Sequence, residues 1–211
     1  MPGRFISIEG GDGAGKSTQL EVIGDTLREH GLEYIVSREP GGTPIGEALR
    51  ALLLDHGEFS IADEAELLLM FAARSQHVHS VIKPALAQGK WVVSDRFHDA
   101  SFAYQGARGL NLQRVQELSD WVLQDFKPDL TLLFDMPVEQ GLQRVGKRGE
   151  PDRFERESID YKHRVQEIYR ARALAEPSRI RRIDASRDIE GVSSQVRVLL
   201  RSYIEEVAGA R

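Results

Sequence analysis

The chain has no cysteine. Disulfide staples, thiolate catalysis and cysteine-ligated zinc are thereby excluded, and a reducing compartment is the simplest setting. Long apolar runs are missing too. The longest, Leu67-Leu68-Leu69-Met70-Phe71-Ala72-Ala73, falls well short of the ~20 residues a membrane helix needs. The opening residues carry Glu9, Asp12 and Lys16 in place of an apolar h-region, so no signal peptide is expected. Positive charge is in deficit, with 28 Lys and Arg against 33 Asp and Glu and a net charge of -5. No general basic field is available to hold nucleic acid, and any anion site must be local. The six histidines show no H-E-x-x-H and no paired ligand spacing, so they read as surface or packing residues. Internal repeats and low-complexity segments are lacking as well. What these absences leave is a soluble cytoplasmic protein of 211 residues, long enough to bury one substantial core.

Against that background one stretch organises the chain. Gly10-Gly11-Asp12-Gly13-Ala14-Gly15-Lys16-Ser17-Thr18 fits G-x-x-x-x-G-K-[ST] and follows the apolar run Phe5-Ile6-Ser7-Ile8. A strand, a glycine-rich turn and a helix start are the parts a phosphate-binding loop needs, because backbone N–H groups must converge on phosphate oxygens at a helix N-terminus. Gly10, Gly13 and Gly15 permit positive φ and close approach to the phosphates. Lys16 is expected to place its ammonium on β- and γ-phosphates, and Ser17 to offer its hydroxyl to Mg²⁺.

Short apolar runs at about 4–9, 33–37, 90–94, 129–134 and 179–183 alternate with helical patterns, which predicts βαβ units. A parallel five-stranded sheet with helices on both faces follows, with ligands beyond the carboxyl ends of the strands. Thr43 is placed to cap a helix through Ile45, Leu49, Leu52 and Leu53 after the Pro40-Gly41-Gly42 corner. A long helical segment from Ala62 to about Ala87, broken before Pro84, carries an apolar face through Leu68, Phe71, Val78 and Ile82. Arg74 shares that face, and by pattern alone reads as a snorkelling arginine before a ligand-binding one. Two carboxylates end apolar strands and compete for Mg²⁺, Asp95 after Trp91-Val92-Val93-Ser94 and Asp135 after Leu130-Thr131-Leu132-Leu133-Phe134. Spacing does not choose between them, and Asp135 is equally placed to cap the helix after Pro137. Arg96 beside Asp95 would meet phosphate as a fork. Positive charge concentrates only between Gly141 and Arg156, in Arg144, Lys147, Arg148, Arg153 and Arg156. That stretch reads as a solvated loop or as a lid supplying arginines to a transferred phosphoryl group. The Asp184-Ala185-Ser186 corner after the last strand is a further candidate, for an adenine or for an ordinary capped turn.

Taken together and in order, these motifs resemble thymidylate kinases, which phosphorylate dTMP with ATP for dTTP synthesis. The resemblance rests on the loop at 10–18, Arg38-Glu39-Pro40-Gly41-Gly42-Thr43, Asp95-Arg96-Phe97, Ser101-Phe102-Ala103-Tyr104-Gln105-Gly106 and the basic stretch ending Pro151-Asp152-Arg153-Phe154. It implies a single domain of the P-loop NTPase fold with a short mobile lid at about 141–156, two substrates, ATP and dTMP, and Mg²⁺. A homodimer is implied too, with the apolar helix around Leu67 to Phe71 contributing to its seam.

Residue by residue, the resemblance puts Asp12 at the deoxyribose 3′-hydroxyl and Arg96 between donor and acceptor phosphates. Asp95 then becomes the Mg²⁺-side carboxylate, in preference to Asp135, with Ser17 as its partner. Gly11, Ala14 and Thr18 join the ATP side with lid arginines Arg144 and Arg148, while Arg153 is the lid arginine assigned to chemistry. Glu39, Pro40 and Arg50 fall on the monophosphate side. Arg74, Ser101 and Gln105 fall on the base and sugar, and Tyr104 where a ribose 2′-hydroxyl would clash. A cis peptide before Pro40 is expected. The family's thymine-stacking phenylalanine is replaced by Met70, with Phe71 one place later, so either side chain could cover the base. A kinase for another nucleotide, and a phosphate-loop switch or ATPase acting on a protein partner, remain the alternatives.

Overall fold

The apolar strands are buried from both sides, as their sequences require. In β1 (Phe5–Gly10), Ile6 and Ile8 enter one apolar cluster and Phe5 enters another on the opposite face. Trp91 and Val93 against Val92 repeat the alternation in β3 (Trp91–Asp95), and Leu130, Leu132 and Phe134 against Leu133 in β4 (Leu130–Asp135). Each such side chain contributes roughly 1.5–3 kcal/mol on burial. With β2 (Tyr34–Arg38) and β5 (Ile180–Asp184) at the edges, the sheet has the order β2-β3-β1-β4-β5 and every pairing is parallel. All five expected strands are present, each one residue later than the apolar runs suggest. The computed structural model describes residues 2–55, 60–145 and 153–209.

Direction of travel decides which face each helix covers, since parallel crossovers are right-handed. The chain moves outward from β1 to β2 and thereafter runs the other way across the sheet, so the connections divide between the two faces. Helix α1 (Lys16–Glu29) and α9 (Ile189–Gly209) pack with Ile6, Trp91 and Leu132 on one side. The other side is covered by α3 (Asp63–His77), α4 (Lys83–Ala87), α5 (His98–Ala107), α6 (Leu112–Leu123) and α8 (Ile159–Ala175), with α2 (Pro44–Leu54) packed on α3. Helix α7 (Val138–Val145) follows β4. Thr43 caps α2, its hydroxyl accepting from the Gly46 amide at 2.9 Å, and Ser158 caps α8 in the same way.

Three expectations need correction in detail. The helix over 62–87 does not break before Pro84 but widens into a π-type turn at Val78–Ile82 before continuing as α4. Pro84 offers no N–H to the preceding turn, and the wider spacing absorbs the missing bond. Leu68 is 58% exposed, and its neighbour Leu67 takes the buried place. Gly141 to Val145, expected in a lid, is the second half of α7. Lys147, Arg148, Pro151 and Asp152 lie outside the described residues. Among the described residues no helix is long and apolar enough to cross a membrane.

Candidate active site

Central strand β1 delivers the glycine-rich loop to the carboxyl edge of the sheet, and the loop has the backbone its glycines allow. Gly10, Gly13 and Gly15 have φ of 137°, 73° and 80°. Gly15 sits at the head of α1, and no described side chain caps that helix, which leaves its first amides for an external anion. Gly13 is held by close approach as well as by conformation: a Cβ there would meet the Gly141 carbonyl oxygen at 2.3 Å. The reverse also holds, since a Cβ on Gly141 would lie 2.6 Å from the Asp12 carbonyl. A glycine inside α7, unfavourable for a helix, is thus what allows the phosphate loop to seat against it.

Lys16 Nζ donates to the carbonyls of Gly10 at 2.9 Å and Gly11 at 3.1 Å. Burial, with Arg96 nearby, lowers its pKa to about 8, opposed by Asp95, Asp12 and Glu9. Ser17 and Thr18 are exposed in the first turn of α1. Asp95 ends β3 with its Oδ1 buried and without a hydrogen-bond partner. A hard divalent cation takes such oxygens and keeps water and substrate phosphates as further ligands, so Asp95 and the Ser17 hydroxyl fit Mg²⁺. Among the described residues no group of three or more His, Cys, Asp or Glu could cage a metal.

The rival carboxylate is committed elsewhere. Asp135 accepts from Arg170 Nε at 2.9 Å and pairs with Arg182. Burial works against its charge, but the Arg170 and Arg182 hydrogen bonds outweigh it and hold the carboxyl below its ordinary range. Asp135 is therefore a structural anion joining β4, β5 and α8.

Beside the loop lies an open cleft whose lining includes Asp12, Glu39, Pro40, Arg50, Arg74 and Arg96. Met70, Ser101, Tyr104 and Gln105 also face it, and Phe71 does not. Phe71 is buried behind Arg74, whose guanidinium sits 4.6 Å from the ring centroid. Arg74 does not snorkel: it is 2% exposed, its Nε donating to Glu39 Oε2 at 2.7 Å, Nη1 to Ser101 Oγ at 2.9 Å and Nη2 to the Phe97 carbonyl at 3.0 Å. Each Nη keeps one further N–H. His77, fully buried between Ser37 and Glu39, steadies the other Glu39 oxygen at 2.8 Å. The Glu39–Pro40 peptide is cis, as expected, and Arg50 Nη1 donates to the Pro40 carbonyl at 2.9 Å.

Arg96 stands where the loop meets this cleft. Its Nη1 donates to the Gly10 carbonyl at 3.0 Å, its Nη2 lies 3.4 Å from Asp12 Oδ1, and its guanidinium covers the Tyr104 ring at 4.8 Å. Of the lid candidates, Arg153 and Arg144 are turned to other work here. Arg153 pairs with Glu66 and donates to the Leu53 carbonyl at 2.9 Å. Arg144 donates to the Ala185 carbonyl at 3.0 Å and the Arg187 carbonyl at 3.2 Å, across the corner whose Asp184 closes its own turn onto Ser186.

Several residues of the site were not singled out from the sequence. Glu9 is fully buried at the end of β1, accepting from the Phe97 amide and the Tyr169 hydroxyl, each at 2.7 Å. Burial, with Asp99 nearby, pushes its carboxyl well above the usual range. Lys162 reaches toward Asp12 Oδ2, 4.0 Å away, and Glu66 holds Gln105 at 2.8 Å. The available signal was an acidic residue bordering an apolar run, Glu9 directly after Phe5–Ile8 and Glu66 directly before Leu67.

A phosphate loop heading the central strand of a parallel sheet, facing an arginine-lined cleft, defines a P-loop NTPase fold built for two anionic ligands. The family model described as thymidylate kinase matches residues 8–196. The chain belongs to the thymidylate kinase family. It is 52% identical to a thymidylate kinase of Methylobacillus flagellatus over 204 residues, covering 96% of this chain and 99% of that one. It is 50% identical to that of Alcanivorax borkumensis, covering 93% and 95%. The crystal structure of thymidylate kinase from Ehrlichia chaffeensis superposes with a TM-score of 0.77 at 31% identity, covering 95% of this chain and 99% of that chain.

Proposed function

We propose that the chain transfers the γ-phosphoryl group of ATP to dTMP, giving ADP and dTDP. The observation that supports this reading most directly is the meeting of two anion-ready surfaces at Asp12 and Arg96, the glycine loop on one side and the arginine-lined cleft on the other. A dTMP phosphate oxygen attacks the γ-phosphorus, a new P–O bond forms, and the bond to the β,γ-bridging oxygen breaks with its electron pair leaving on ADP. Such in-line transfer needs positioning and charge neutralisation, without a covalent enzyme intermediate.

In this reading the amides of Gly10 to Thr18 and the Lys16 ammonium hold the β- and γ-phosphates, and Arg96 spans donor and acceptor. Asp12 takes the 3′-hydroxyl and Arg50 the monophosphate, with Glu39 and Pro40 shaping that end of the cleft. Arg74, Ser101 and Gln105 read the base, Met70 covers it, and the Tyr104 ring occupies the space a 2′-hydroxyl would need. Ser17 and Asp95 would hold Mg²⁺, which when bound neutralises charge on the transferred phosphates. Arg144 and Arg153 are assigned to the ATP side and to the chemistry, which for Arg153 requires exchange of its Glu66 partner for phosphate.

A screen of nucleoside monophosphates in an ADP-release assay tests the reading. ADP formation is expected to depend on dTMP and to be far slower with dCMP, dAMP and dGMP. ATP hydrolysis at a comparable rate without any acceptor would point instead to a switch or ATPase. We also read the exposed Ile45, Leu52 and Leu68 of the packed α2–α3 pair as the seam of a homodimer. A monomer mass in sedimentation at micromolar concentration would remove that part.

A further inference from the structure

Glu66 lies on α3 with no exposure to solvent, an expensive place for a carboxylate. It accepts from Gln105 Nε2 at 2.8 Å, pairs with Arg153, and has Arg108 Nε at 3.4 Å. A carboxylate between two guanidinium groups accepts hydrogen bonds and donates none. The end of the Gln105 amide turned toward it is therefore the NH₂ end, since the two ends match in shape and only the partner's chemistry tells them apart. Among the described residues no donor reaches the Gln105 side-chain oxygen, Oε1, and Gln105 lines the cleft together with Arg74 and Ser101.

We propose that Glu66 is a positioning residue that sets base specificity: by engaging Gln105 Nε2 it presents the Gln105 side-chain oxygen to the base edge. The inference rests on the kinase reading of the cleft. Thymine offers an N3–H donor beside a 4-keto acceptor. The Gln105 oxygen accepts from N3–H, and the N–H groups that Arg74 keeps free donate to the 4-keto oxygen. Cytosine reverses both groups, setting its N3 lone pair against the Gln105 oxygen and its 4-amino group against Arg74. Buried mismatches of this kind discriminate strongly, because each leaves polar groups unpaired.

The test compares kcat/KM for dTMP and dCMP in the full-length wild type and in Glu66→Gln. A neutral amide at position 66 offers Gln105 either a donor or an acceptor, so the Gln105 amide is free to turn. The dTMP-to-dCMP ratio is expected to fall by about ten- to a hundredfold, as for loss of a specific hydrogen bond, with much of the change in the KM for dTMP. A purely structural role, or loss of the Arg153 partner, slows both substrates alike, and an unchanged ratio overturns the proposal. The exchange variant, Glu66→Gln with Gln105→Glu, restores a hydrogen bond across the pair and again turns an acceptor into the cleft. It is expected to regain most of the discrimination and remains informative where the single variant fails to fold; failure to regain it overturns the proposal. A wild type inert toward dTMP brings down the kinase reading and this inference together, whereas an active wild type with an unchanged ratio in Glu66→Gln brings down this inference alone.

Discussion

Lys16→Ala is expected to lower kcat by about 10²- to 10³-fold, the usual cost of removing one preorganised charge from a transition state, while the thermal transition moves little. The side chain is anchored by two backbone carbonyls, Gly10 and Gly11, and its loss removes hydrogen bonds each worth only about 1 kcal/mol. Its ammonium matters far more once phosphates arrive, because charge then builds on the γ-phosphoryl oxygens. The lowered pKa of about 8 adds a second signature. As pH rises through that value, the free enzyme loses the cation that ATP selects, so kcat/KM for ATP falls. Bound phosphates hold the proton in place, so kcat stays flat to higher pH. The alanine variant, lacking the group, loses the alkaline limb. Near-normal turnover of that variant, or an alkaline limb that survives in it, would separate Lys16 from the phosphates.

The strands and the phosphate loop were legible because their causes are local. Apolar runs bounded by turn residues specify strands, and G-x-x-x-x-G-K-[ST] specifies the backbone that glycine alone adopts without cost. Roles that depend on distant partners were not legible. Arg74 sits on an apolar face, where an arginine normally snorkels; its partners Glu39, Phe97 and Ser101 come from β2's exit, the turn between β3 and α5, and α5 itself, and only the packed sheet edge assembles them. Asp95 and Asp135 look alike at the ends of their strands and differ in what surrounds them, an orphaned oxygen at one and Arg170 and Arg182 at the other. Met70 and Phe71 could not be ordered from helical period, because position 74 neighbours both 70 and 71 on a helix. Packing of Phe71 with Phe102 and Val115 turns it inward, and Met70 is left at the cleft.

Arg96 carries the second large effect, and its backbone explains how it is aimed. Its φ is 72°, a left-handed conformation that costs a non-glycine residue roughly 1–3 kcal/mol. Three hydrogen bonds clamp it: the Arg96 amide donates to the Ile8 carbonyl at 2.9 Å, the Ser94 hydroxyl donates to the Arg96 carbonyl at 2.8 Å, and the next amide, Phe97, donates to buried Glu9 at 2.7 Å. The clamp turns the guanidinium back over the loop, against Gly10, Asp12 and the Tyr104 ring. A planar fork held there can bridge two phosphates at once, which a lysine cannot. Arg96→Ala and Arg96→Gly are therefore both expected to lose about 10²- to 10³-fold or more in kcat. Their stabilities should differ, because alanine keeps the strained φ and glycine takes it without cost, leaving the glycine variant about 1 kcal/mol the more stable. Chemical denaturation of the pair measures that gap, and equal midpoints would mean that the left-handed turn stores no strain. Should Arg96→Ala keep its kcat within tenfold of wild type, the guanidinium does not bridge the reacting phosphates, and the clamp of Glu9, Ser94 and Ile8 serves the fold alone.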